Sequence, residues 1–231
     1  MNQLRSYYNN YSVVEATGFS SKHSEEYIKK FFSDAGNMGE ALIREVQANA
    51  LVDALARSPI GVQTLCLIWE RNQALPNQMM ELYGRVLDAQ VANLTRKYGP
   101  MKPEKGNLDT LKGDIGQVLI GSRGERLLFS PDEFPDATLE YGLKIGVLCQ
   151  QTRTCGERMV CVVKCAPLFH DYFVAHFLLT EPVEMIKSRL LSRVTKETVQ
   201  EKEFLLRLCS ETSDEANRVI DEHIKALHKQ G

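Results

Sequence analysis

The residue types that could do chemistry are spread along the chain without the spacing that chemistry needs. An apolar run that closes on a carboxylate, Leu65-Cys66-Leu67-Ile68-Trp69-Glu70, has the form of a strand delivering an acid to a metal-bound phosphate. The apolar block it belongs to, opened by Pro59, is too long for an ordinary strand, so we read it as a buried helix. The glycine cluster Gly121-Ser122-Arg123-Gly124 lacks the lysine and hydroxyl residue that must follow at a helix start to cradle phosphate, and it reads as a turn. The six cysteines, Cys66, Cys149, Cys155, Cys161, Cys165 and Cys209, contain no C-x-x-C pair. They fall on apolar runs or near one candidate hairpin, which favours buried reduced thiols over a zinc site. The five histidines, His23, His170, His176, His223 and His228, show no i, i+4 ligand pair, and no metal is expected. Asp132 and Glu133 read as helix-start residues before they read as an acid and a base. With no triad, nucleophile motif or paired carboxylates legible, no catalytic residue is assigned and no ATP hydrolysis is expected.

Composition narrows the class. A chain of 231 residues with 43% hydrophobic content can bury one large or two small cores. The formal net charge of −2 leaves no clustered basic surface for nucleic acid. No apolar run reaches the roughly 20 residues of a membrane span, and the first residues lack the apolar segment of a signal peptide, so the expected compartment is the cytoplasm.

The elements that must position these residues are mostly helices. Tyr11 to Ala16 reads as one short strand closing at Thr17-Gly18. Ser20 to Glu25 offers N-caps for a helix whose apolar stripe is Tyr27, Ile28, Phe31 and Phe32. Met38 to Leu55 carries two helices' worth of helical spacing and leads into the Pro59 helix. Arg71 to Pro76 breaks the pattern, and Met79 to Leu94 resumes it until Lys97 to Pro103, a loop rich in Gly and Pro. Leu108 to Leu119 is a further amphipathic helix. Arg126 to Phe129 is short and strand-like, Ser130 to Glu133 is a capping box with proline at the first helical position, and Pro135 keeps that helix short. Leu139, Leu143, Ile145 and Leu148 read as the next helix. Two strands are expected around Thr154 to Glu157, the second being the β-branched Met159 to Val163. After Thr180 the chain reads as helical and charged, with a second capping box at Thr212 to Glu215 and charged runs that are most simply solvated helix faces.

Several of these segments share wording with one family. The Pro59 helix ending in Leu65-Cys66-Leu67-Ile68-Trp69, followed by Leu75-Pro76 and Glu81-Leu82-Tyr83, resembles the junction of helical domain 1 and the winged helix in NACHT-type NTPases, the switch of NOD-like receptors. Val14 to Ser20 with Tyr27 to Phe32 resembles the start of that helical domain. Pro167 to Leu179 resembles the F-x-H-x-x-F-Q-E-[FY]-x-A-A segment that closes the winged helix. Aligned on Phe169, Asp171 takes the acidic place and Tyr172, Phe173 and Ala175 match. Ala166 stands where the family usually has the histidine that contacts the nucleotide's terminal phosphate. His170 stands at a usual glutamine, and four positions further along a helix it is expected to point elsewhere.

The resemblance implies a mainly α fold: a helical domain, a winged-helix domain with a small wing hairpin, and further helices, plus the one amino-terminal strand. The implied divisions are residues 1–76, 77–180 and 181–231, the last being the opening of helical domain 2. Pro59 is the implied cofactor contact, its ring lying against adenine; the alternative is a proline that only starts a helix. The chain is expected to bind no cofactor alone, because its phosphate loop and Mg²⁺-ordering acid are missing, and to share ADP or ATP in a complete module. The implied partners are the missing nucleotide-binding domain or a full-length relative, in a homo-oligomer, with neither nucleic acid nor membrane. The implied function is the lid of a nucleotide-controlled switch in innate-immune signalling. The alternative is a freestanding helical and winged-helix interaction module or decoy.

Overall fold

The computed structural model describes residues 18–99, 108–121, 126–155, 158–200 and 202–229. The expected strand Tyr11 to Ala16 lies outside them. The described residues are mainly helical with one two-stranded sheet, as expected. The chain forms two compact units, Met1–Cys66 and Leu67–Gly231, which divide within one helix.

In the first unit, helices α1 (Ser21–Phe31), α2 (Met38–Ala48) and α3 (Ala50–Ala56) precede the start of α4 (Pro59–Asn72). The Ser20 hydroxyl accepts the His23 N–H at 3.3 Å and caps α1. Asn49 parts α2 from α3 because its side-chain oxygen accepts the N–H groups of Leu51 and Val52 at 3.0 and 3.5 Å. Helical spacing puts Ile28, Leu42, Val46, Val52 and Leu55 into one core, each no more than 5% exposed. Two bonds fasten the chain's entry to the end of α3: the Phe19 N–H donates to the Arg57 carbonyl at 2.7 Å, and the buried Ser24 hydroxyl donates to that of Ala56 at 2.8 Å.

The second unit is organised around α8 (His170–Thr180). Tyr172, Phe173, Val174, Ala175 and Leu178 are all buried, so α8 is apolar around most of its circumference and must be covered on several sides. Helices α6 (Leu108–Gly121) and α10 (Glu203–Thr212) pack on it, and α11 (Asp214–Lys229) packs on α10. The approach of α6 is very close. A methyl group built on Gly116 would stand 2.1 Å from the Phe173 carbonyl oxygen and 2.6 Å from the Phe177 Cβ, so only glycine fits there. Helix α5 (Met79–Tyr98) is held at its start from across the fold. The Glu211 carboxylate accepts the Met79 N–H at 2.7 Å, and the Glu211 carbonyl accepts from the Gln78 side chain at 3.1 Å.

Between α6 and α8 the chain makes a 3₁₀ turn (Pro131–Glu133), α7 (Asp136–Lys144) and the antiparallel strands β1 (Leu148–Cys155) and β2 (Arg158–Cys165). The Glu133 carboxylate reaches back to the Ser130 N–H at 2.6 Å and also receives the Arg126 guanidinium, supplying the acid half of the expected capping box. The buried Thr138 hydroxyl donates to Asp114, tying α7 to α6.

Four local expectations are corrected. Leu148 opens β1 and does not extend the helix before it, because α7 ends at Lys144 and Gly146 takes φ +76°. Arg126 to Phe129 is not a full strand; only Phe129 pairs, exchanging two backbone bonds of 2.9 and 2.8 Å with Val163. The cap of α11 is Ser213, whose hydroxyl accepts the Ala216 N–H at 3.2 Å, while the Thr212 hydroxyl turns back to Leu208. The helix after Thr180 is broken into a short turn α9 (Val183–Met185), a π turn (Ile186–Leu190) and a 3₁₀ turn (Leu191–Arg193). That break lets Ile186, Leu190, Leu191 and Val194 all face inward.

The two glycines of α6 give an internally controlled expectation. Gly116→Ala destabilises the protein by about 1–3 kcal/mol or more through overpacking. Gly113→Ala, where an added methyl meets nothing within 4 Å, is neutral or stabilising by up to about 1 kcal/mol through helix propensity. Denaturant midpoints of the two variants check this; equal shifts would refute the close approach.

Candidate functional site

Pro59 lies in the first unit, at the first position of α4. Its missing N–H costs nothing there. The preceding Ser58 supplies the cap, its carbonyl accepting the Val62 N–H at 2.9 Å and its hydroxyl the Gly61 N–H at 3.4 Å. The ring of Pro59 is exposed, as is the neighbouring Ile60 at 49%. Since α4 is helical through Glu70, the apolar run before that carboxylate is not a metal-bearing strand.

Ala166 lies in the second unit, in the single-residue link between β2 and a 3₁₀ turn (Pro167–Phe169) that runs directly into α8. Its N–H donates to the Val147 carbonyl at 2.8 Å, and its carbonyl accepts the Phe169 N–H at 3.0 Å. Its backbone is therefore fixed, and its half-buried methyl is all it offers. Behind it Phe169, Tyr172 and Phe173 are buried; Tyr83 of α5 lies with its ring 6.5 Å from Phe169, 6.1 Å from Tyr172 and 5.5 Å from Phe204 of α10, and Phe173 packs on Phe169 and Tyr172. Burial, with Asp171 nearby, pushes the Tyr83 phenol up to about 12, so it stays protonated and neutral.

His170, the first residue of α8, lines a groove of about 280 Å³ with Leu127, Phe129, Lys164, Cys165 and Pro167. Its Nδ1 sits 3.1 Å from the Asp171 carboxylate. Burial pushes the Cys165 thiol up to about 12, so it is no nucleophile. Cys66 and Cys209 are likewise buried and in no disulfide, as expected, whereas Cys149 is exposed and Cys161 half-buried.

A second polar cluster, invisible in local sequence patterns, lies on the α6–α8 seam. The Lys112 ammonium, on a side chain 13% exposed, is 3.0 Å from Asp109 and close enough to the Tyr172 phenol to act on it electrostatically. His176 Nε2 lies 3.9 Å from Asp109, while Nδ1 is buried with no partner among the described residues. Burial, then the Lys112 charge, hold the His176 pKa below its ordinary 6.5 against the opposing pull of Asp109. An (i, i+3) Asp-Lys pair and a histidine on an apolar helix were the only signals in sequence, and neither announces the other.

Among the described residues no group of three or more His, Cys, Asp or Glu side chains is placed to hold a metal, and no single helix is long and apolar enough to cross a membrane. No protein-family model and no curated protein matches the chain.

The depressed His176 pKa fixes the sign of a pH effect. Below pH 6.5 the unfolded chain binds a proton that the folded chain resists, so this contribution to stability is complete above 6.5 and declines as pH falls towards the folded value. Unfolding midpoints measured from pH 7.5 to 5 should fall, and His176→Gln should flatten that slope. An unchanged slope in the variant would remove His176 as the cause.

Proposed function

We propose that this chain is the switch portion of a NACHT module: helical domain 1, the winged helix and the opening of helical domain 2 of a NOD-like receptor. The observation that carries the reading is the order of its segments. A proline-led helix ending in Leu65-Cys66-Leu67-Ile68-Trp69 precedes the α5 helix with Glu81-Leu82-Tyr83, and the hairpin runs through Ala166 into the aromatic closing helix. The exposure of Pro59 supports a role beyond starting a helix, since its ring is free to meet an adenine supplied by a nucleotide-binding domain. In this reading the complete module clamps ADP between that domain and the winged helix, and exchange for ATP releases the clamp for oligomerisation in the cytoplasm. The chain contributes the lid and no hydrolytic chemistry.

One observation favours a second reading, a freestanding interaction module. Leu127 and Met159, 63% and 78% exposed, present apolar side chains beside and on the hairpin. A partner-binding surface would use them whether or not a nucleotide is involved.

Position 166 separates the readings. A histidine donating a charge-assisted bond to phosphate contributes about 1.5–3 kcal/mol. Introduced as Ala166→His into a complete receptor carrying this segment, it should tighten ADP binding roughly ten- to a hundredfold and raise the activation threshold. In the same receptor Pro59→Ala should speed ADP release without lowering thermal stability. Unchanged ADP affinity in both folded variants would reject the lid assignment.

A further inference from the structure

The groove beside Ala166 has the make-up of a small-molecule site, apolar walls with a few polar groups at one side. Phe129 and Cys165, 1% and 5% exposed, form its floor, and Pro167 and the outlying Leu127 form its sides. The groove exists because of one short piece of pairing. The two-bond bridge of Phe129 to Val163 brings Leu127 and Phe129 beside β2, and His170 at the start of α8 lines the same space.

Two polar side chains line this otherwise apolar space, the cationic Lys164 and the imidazole of His170. The Lys164 ammonium has no ion pair among the described residues, and its four-carbon stem lets it follow a ligand. The His170 imidazole is oriented from behind. A carboxylate only accepts hydrogen bonds, so Nδ1, 3.1 Å from Asp171 Oδ1, carries the hydrogen and Nε2 is the nitrogen left for a ligand. The Lys164 ammonium supplies one positive charge to the groove, which complements a single carboxylate.

We propose that this groove binds a small amphipathic monocarboxylate, its apolar body of about one ring against Phe129, Cys165 and Pro167 and its carboxylate on the Lys164 ammonium, beside His170. The volume of about 280 Å³ sits at the lower end of ligand pockets, which sets the size of the guest. The site belongs to the chain itself and does not depend on its being part of a receptor. A nucleotide phosphate is a different guest, with more charge and no apolar body.

The test is a nuclear magnetic resonance titration of the full ¹⁵N-labelled chain with 3-phenylpropionate. Two controls are 3-phenylpropanol, which keeps the body and loses the charge, and inorganic phosphate, which keeps charge and loses the body. The expected result is saturable shifts at the amides of Phe129, Lys164, Cys165 and His170, with a Kd of about millimolar or tighter. Each control should bind about tenfold more weakly, as should the acid to Lys164→Met, whose unfolding midpoint should match the parent. The proposal is overturned if shifts do not saturate or map elsewhere, if the alcohol or phosphate binds as well as the acid, or if Lys164→Met, folded, keeps full affinity.

Discussion

The second unit depends on how closely α6 can lie against α8. Gly116 lets the α6 backbone reach the Phe173 carbonyl, and that approach covers one side of a helix whose apolar residues point in nearly every direction. With that side closed, α10 can close another and Tyr83 of α5 can stack on Tyr172 and Phe169. Well-packed interiors respond to a change of a single methyl group because they have no slack. The hairpin, the Ala166 link and the groove all lead into this one helix, so their geometry inherits its rigidity.

Of the polar groups in this seam, Lys112 is paired and His176 only in part. Lys112 is nearly buried, yet it keeps Asp109 at 3.0 Å, as a charge removed from water requires. His176 stands at the edge of that arrangement with one nitrogen unpartnered, and a second proton on it would meet the lysine charge. Aromatic packing supplies the area of this seam, and a few polar pairs fix its register.

Local grammar was legible in the sequence. Ser20, the Ser58-Pro59 start, the Ser130 to Glu133 turn and the β-branched second strand each carry their own signal within four or five residues, and each stands where it was expected. The errors arose where backbone conformation at one residue decides the outcome. Gly146 at φ +76° diverts Leu148 from helix to strand, and the π turn at Ile186–Leu190 follows inward packing, not helical spacing. The candidate site was half legible. Pro59 and Ala166 came from resemblance and sit at a helix start and a link. The Lys164–His170 groove did not, because its wall at Leu127 and Phe129 is brought to β2 by a pairing across more than 30 residues that no local pattern encodes. The Lys112–His176 cluster was hidden for the same reason.

The capping of α5 carries a consequence for synthesis on the ribosome. The carboxylate that accepts the Met79 N–H belongs to Glu211, 132 residues further along. At about 5–20 residues per second, it emerges roughly 7–26 seconds after the helix it caps. Throughout that interval the start of α5 has only water for its first N–H groups, and Met79 and Leu82, which the finished fold seals from solvent, stand open beside it. The nascent chain therefore carries an apolar helix with an unfinished end until α10 arrives, which is a binding target for chaperones that act during translation.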